Sequence, residues 1–136
     1  MAVTKDSGRQ TVLCAIVEVA FGDTTSGTST KVIDLEPGAV VLGGFAFVET
    51  ADNAGTTAVI DIGDVDTADL YVTVLDAKTA GESEAFDVTE LGKKYTAAGG
   101  GIYLKRTAVG TAATAGLVRV TAFYAVAGRV NEIRTG

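Results

Sequence analysis

A chain of 136 residues has the length of one domain, which at this size buries about 65 to 70% of the surface that its unfolded form exposes. It holds no histidine, no tryptophan and one cysteine, Cys14, which excludes a histidine-based triad, a histidine-ligated zinc site, a paired-cysteine redox centre and an internal disulfide. Its 11 Lys and Arg against 17 Asp and Glu leave a net charge of −6, with no basic stripe to displace counterions from a phosphate backbone, so nucleic acid is not expected as a partner.

Residues 1–10 are polar and carry Lys5, Asp6 and Arg9. They lack the apolar core of a signal peptide, and no later run approaches 18 apolar residues, so a soluble, unexported protein made in the cytoplasm, with no membrane partner, is expected. Thr11 to Phe21 reads as the first strand, with Leu13, Ala15, Val17, Val19 and Phe21 on one face and Val12, Cys14, Ile16 and Glu18 on the other. With apolar residues on both faces it is expected to be buried on both, and Cys14 to be a small core residue. Gly22 to Thr30 is a Gly/Ser/Thr loop, and Lys31 to Leu35 a short strand. Glu36-Pro37-Gly38-Ala39 fits a type II turn, because proline presets φ at its second position and glycine accepts the positive φ at its third. Ala39 to Thr50 alternates as a strand, with Gly43-Gly44 marking a bulge or close approach. Asp52-Asn53-Ala54-Gly55 turns the chain into a strand over Thr56 to Ile62. Leu70 to Leu75 alternates too, although Ala68 to Ala80 also suits a short helical turn. Weak alternation over Ala85 to Leu91, a short strand over Ile102 to Arg106 and a long one over Leu117 to Ala127 complete the series.

About eight strands at intervals of roughly eight to twelve residues indicate an all-β fold, an antiparallel β-sandwich or jelly roll. The organisation expected is an N-terminal arm over 1–10, a sandwich over 11–127 and a C-terminal tail over 128–136. Apolar residues make up 47% of the chain but aromatics only 7%, so small and β-branched side chains should fill the core. The ends differ from the body in charge. Each nets +1, the first from Lys5, Asp6 and Arg9 and the last from Arg129, Glu132 and Arg134, so the body between them must carry −8 for the chain to total −6. Mildly basic ends on an acidic body suit docking arms as well as solvated termini.

Candidate chemistry is sparse. Asp61, Asp64, Asp66 and Asp69 cluster as a hard cation would require, but Gly63 is misplaced for an EF-hand loop, no glutamate closes it and neither flank is helical. A solvated aspartate turn is expected there, and no metal or cofactor. The same carboxylates make a poor glycosidase, because the few aromatic residues fall mostly at core positions. Gly99-Gly100-Gly101 leads into a strand, whereas a phosphate loop leads into a helix. Lys93-Lys94 and Lys105-Arg106 read as solvated edge charges that discourage strand pairing. No catalytic residue emerges, so the protein is read as no enzyme but as a structural or binding module.

Several segments together resemble the head decoration, or cement, proteins of tailed bacteriophages. They are Gly8-Arg9-Gln10, the run Ile33-Asp34-Leu35-Glu36-Pro37-Gly38-Ala39-Val40-Val41 with Gly43-Gly44, Ile62-Gly63-Asp64 to Leu70-Tyr71, and Leu117 to Gly128 followed by Arg129. The resemblance covers most of the chain. It implies a jelly-roll-like subunit that forms a homodimer or homotrimer on the exterior of an icosahedral head built from a separate major capsid protein. On that implication the arms bind the capsid through Lys5, Arg9, Gln10, Arg129, Asn131 and Arg134. A different class stays open: a head-fibre or tail-associated sandwich that recognises a host surface or glycan, which an exposed aromatic cluster would favour.

Overall fold

Nine strands emerge among residues 11–96 and 100–127, the residues that the computed structural model describes. They are β1 (Leu13–Ala20), β2 (Ser29–Asp34), β3 (Ala39–Thr50), β4 (Thr57–Gly63), β5 (Val72–Asp76), β6 (Ser83–Ala85), β7 (Lys94–Tyr95), β8 (Gly101–Val109) and β9 (Leu117–Val126). One sheet runs β1-β9-β3-β6, with β7 also on β3, and the other runs β2-β8-β4-β5. Every pairing is antiparallel, and the pairs nest: β1 with β9, β2 with β8, β3 with β6 and β7, β4 with β5. That nesting is the connectivity of a jelly roll, and the all-β sandwich expected from the alternation is borne out.

The two sheets press alternate side chains together. Ala39, Val41, Ala46 and Val48 of β3 meet Ala58, Ile60 and Ile62 of β4, Ile102 and Leu104 of β8, and Val118, Val120 and Ala122 of β9 in one buried cluster. Small and β-branched residues dominate it, as a composition poor in aromatics requires.

The chain passes between the sheets at turns whose chemistry was legible. At Glu36–Ala39 the Ala39 N–H donates to Glu36 O at 3.0 Å and Gly38 has φ +94°, both as a type II turn demands. The β3 register slips between Val41 and Gly43, so the glycine pair does mark a bulge. The segment that suited either strand or helix is β5, with no helical turn.

Other expectations are corrected. β1 is buried on one face only: Cys14 is exposed, and Val12 and Ile16 face outward with it. Apolar residues on both faces looked like burial between layers, but a two-layer sandwich has nothing to cover the outer side of its sheets. Ala85 to Leu91 is not a strand. β6 ends at Ala85, and Val88–Glu90 forms a 3-10 turn, because the Asp87 side chain accepts from the Thr89 N–H at 3.0 Å and draws the backbone out of extension. Lys105-Arg106 belongs to β8, a central strand, and Arg106 is buried, so that pair is not the edge charge its sequence suggested; Lys93 and Lys94 are exposed, with Lys94 on the short edge strand β7.

Candidate docking surface

The outer face of the five-stranded sheet is built by registers that align exposed apolar side chains. Cys14 lies beside Phe123 and Gly43, and Ile16 beside Thr121, Phe45 and Ala85. Val12, Ile16, Leu42, Phe45 and Phe123 are 52%, 63%, 44%, 36% and 36% exposed. Charge returns at the margins, on one side where Lys94 lies opposite Val40 and on the other in the row where Glu18, Arg119 and Phe47 align. There the Arg119 guanidinium pairs with Glu49 and lies 5.2 Å from the Phe47 ring centroid. Isolated exposed apolar residues are ordinary, and Val65, Val74, Val88 and Val109 are of that kind. A contiguous apolar patch with a charged rim is the mark of an interaction surface.

The aspartate cluster does not converge. Asp64 is buried, and its Oδ1 accepts from the Asp66 and Thr67 N–H groups at 3.0 and 2.9 Å. Its Oδ2 accepts from Lys93 Nζ at 2.5 Å and from Tyr95 Oη at 2.9 Å. Tyr95 spends its proton on that carboxylate, so the 2.6 Å contact between the Tyr71 and Tyr95 hydroxyls has Tyr71 as donor. Tyr71 in turn stacks on Phe86 with ring centroids 4.8 Å apart. Asp61 accepts instead from the Val74 N–H, while Asp66 stays exposed. No group of three or more acidic, Cys or His residues among the described residues is arranged to hold a metal ion. Asp66 and Asp69 are exposed, as in the solvated turn expected here, but Asp64 is not: it forms a buried polar strut between the sheets, with Asp64 following β4 and Tyr95 in β7. Burial raises the pKa of Asp64, but Lys93 and the three other donors outweigh it and hold the carboxyl below its ordinary value.

A second strut joins Asp52 to Arg106, both buried, with Arg106 Nε 2.5 Å from Asp52 Oδ2. The cleft beside it, between Val19, Phe21, Leu104 and Leu117, has room for little more than one water molecule. No helix among the described residues is long and apolar enough to cross a membrane.

Of the residues singled out for capsid binding, Lys5, Arg9, Gln10, Arg129, Asn131 and Arg134 all lie outside the described residues. Sequence reasoning missed the apolar face. Its signal is present in the Val12, Cys14, Ile16 series, whose apolar character by itself reads as core.

No protein-family model matches the chain, and neither does any curated protein. Solved structures do resemble it in fold. A chain of the cyanophage Pam1 capsid asymmetric unit superposes with a TM-score of 0.68 at 23% identity, covering 91% of this chain and 90% of that one. A chain of the Ralstonia phage GP4 capsid gives 0.67 at 16% identity, over 95% and 92% of the two chains. A chain of the acid-stable capsid of the Helicobacter pylori bacteriophage KHP30 gives 0.56 at 20% identity, over 84% and 88%.

Proposed function

We propose that this chain is a structural virion protein that binds the outer surface of a bacteriophage icosahedral head and staples neighbouring major capsid protein subunits. The observation that carries the reading is the likeness of fold, over nearly the whole of both chains, to chains of three phage capsids. Near-complete coverage in both directions means that the matched chains are about as small as this one, the size of an accessory subunit. The outer apolar face gives such a subunit a surface to bury against the shell, and the basic ends give it cations in Lys5, Arg9, Arg129 and Arg134 to pair with capsid carboxylates, with the neutral amides of Gln10 and Asn131 as further hydrogen-bonding groups.

The physical effect is linkage. A protein that binds the assembled shell but not its dissociated subunits stabilises the shell by about 2.7 kcal/mol per site when its free concentration is 100 times its dissociation constant. Self-association into a homodimer or homotrimer lets one particle-bound unit engage several sites, so weak contacts add through high local concentration.

The test is reconstitution on heads that lack the chain. The wild-type protein should co-sediment with heads and raise the temperature at which they rupture. Phe123→Asp, which places a charge in the apolar face, and deletion of residues 1–9 should each weaken occupancy while circular dichroism shows an intact β-fold. Wild-type protein that fails to bind heads but adsorbs to host cells or glycan would overturn the reading in favour of host recognition. The exposed aromatics, Phe45 and Phe123, share their rows with Ile16, Cys14, Gly43 and the buried Thr121 rather than with the exposed polar groups a sugar platform requires.

A further inference from the structure

Each sheet has two edges, and a sandwich with open edges needs protection against unplanned strand pairing. Three of the four edges here are defended. β2 carries a register shift between Lys31 and Ile33 and a Lys31–Asp34 ion pair at 3.2 Å. β5 has Val74 at φ +56°, a register shift opposite Ile60 and Ile62, and its Val74 N–H held by the Asp61 side chain. β6 and β7 are only three and two residues long.

β1 has none of these devices. It runs for eight residues in unbroken register with β9, contains no proline or lysine, and carries one charge, Glu18, which lies opposite its own Arg119. The direction of its free groups follows from two bonds at its end. The Phe21 N–H donates to Gly116 O, on the β9 side, whereas the Ala20 N–H donates to Asp23 Oδ2 on the open side. Alternation along an antiparallel strand then turns the N–H and C=O groups of Leu13, Ala15, Val17 and Val19 toward β9, and those of Cys14, Ile16 and Glu18 outward. Among the described residues none of these outward groups has a hydrogen-bond partner, and Asp23 closes the edge just beyond them.

We propose that β1 pairs antiparallel with β1 of a second copy of this chain about a two-fold axis at Ile16, joining two five-stranded sheets edge to edge. The strand is its own best complement. Centred on Ile16, the pairing sets Ile16 against Ile16 of the second copy and Cys14 against Glu18, so all three outward residues make both main-chain bonds, about six in all. It also keeps the two glutamates from facing each other. A basic partner strand would meet a single carboxylate, Glu18, in an otherwise apolar strand. The pairing makes the two outer apolar faces continuous across the seam. It sharpens the self-association in the reading above but is tested on the free protein, so it stands or falls separately from head binding.

The experiment uses the full chain without heads. Light scattering after size exclusion should give twice the chain mass for wild type, and the single mass for Ile16→Lys, which places like charges at the axis on a side chain that is already exposed. In the Ile16-centred register, position 16 meets itself with Cα atoms about 5.5 Å apart, within disulfide reach. The double variant Cys14→Ser/Ile16→Cys should therefore form a covalent dimer on oxidation. Wild-type Cys14 and the control Cys14→Ser/Val12→Cys should not, since those positions meet Glu18 and Ala20 of the second copy. A wild-type monomer, a trimer that survives Ile16→Lys, or failure of position 16 to cross-link would each overturn the pairing. So would cross-linking of position 16 on heads to a different virion protein, which would give the edge to another chain.

Discussion

Four donors converge on the Asp64 carboxylate, two from the backbone of its own turn and two from side chains 29 and 31 residues away. Asp52 is held in the same way: burial raises its pKa, but the Arg106 hydrogen bond and the Ala54 N–H bring it below its ordinary value. For a carboxyl whose folded-state pKa is depressed, the stabilisation is fully present above the unfolded value, 3.8 for both, and is lost as pH falls through the lower folded-state value. The urea midpoint should therefore drop as pH is lowered below about 4, and Asp64→Asn should flatten that fall relative to wild type. Asp52→Ala strands a buried guanidinium and should cost about 3–5 kcal/mol in chemical denaturation, while Asp52→Leu/Arg106→Met should recover most of the loss by removing both charges. The aspartate series was plain in the sequence; its function was not. Lys93 and Tyr95 carry no local sign that they will meet Asp64, because a contact across two sheets is fixed by topology rather than by spacing.

Strands and turns show the same division between local and distant causes. Proline and glycine punctuate the chain wherever backbone geometry is decided within four residues, so the Glu36–Ala39 turn and the β3 bulge could be read directly. Gly38→Ala should lower stability by about 1–2 kcal/mol, since alanine must adopt φ +94° with its Cβ 3.0 Å from Ala127 O. Gly44→Ala should destabilise by about 1–3 kcal/mol for a different reason. Its Cβ would lie 2.5 Å from Thr121 O and 2.6 Å from the Phe86 ring, in a site with no room to yield. Thermal melts of the two variants check both values. Periodicity failed where an element depends on its neighbours. β7 is two residues long and exists because Ala39 and Val40 offer a ladder. β1 has two apolar faces but only one layer to cover them, and alternation alone does not say how many layers a fold has.

In the whole molecule nearly every strand finds its partner far along the chain, with Leu13 opposite Tyr124 as the extreme. Closing such loops before any contact rewards them is slow, so refolding after a urea jump should take milliseconds to seconds, as for other all-β domains of non-local pairing; stopped-flow fluorescence of the tyrosines reads it. Nested pairing was legible only as a class of fold, because strand order is a property of connections that no single segment encodes. The same Leu13–Tyr124 neighbourhood has a mechanical consequence. Tension applied at Leu13 and Tyr124 enters β1 and β9 side by side, at one extremity of their ladder, and loads their bonds one after another like the teeth of a zip. The domain should therefore peel open at low force when gripped at those two residues in optical tweezers, and hold against far higher force when gripped at Leu13 and Leu117, where the same ladder is loaded in shear.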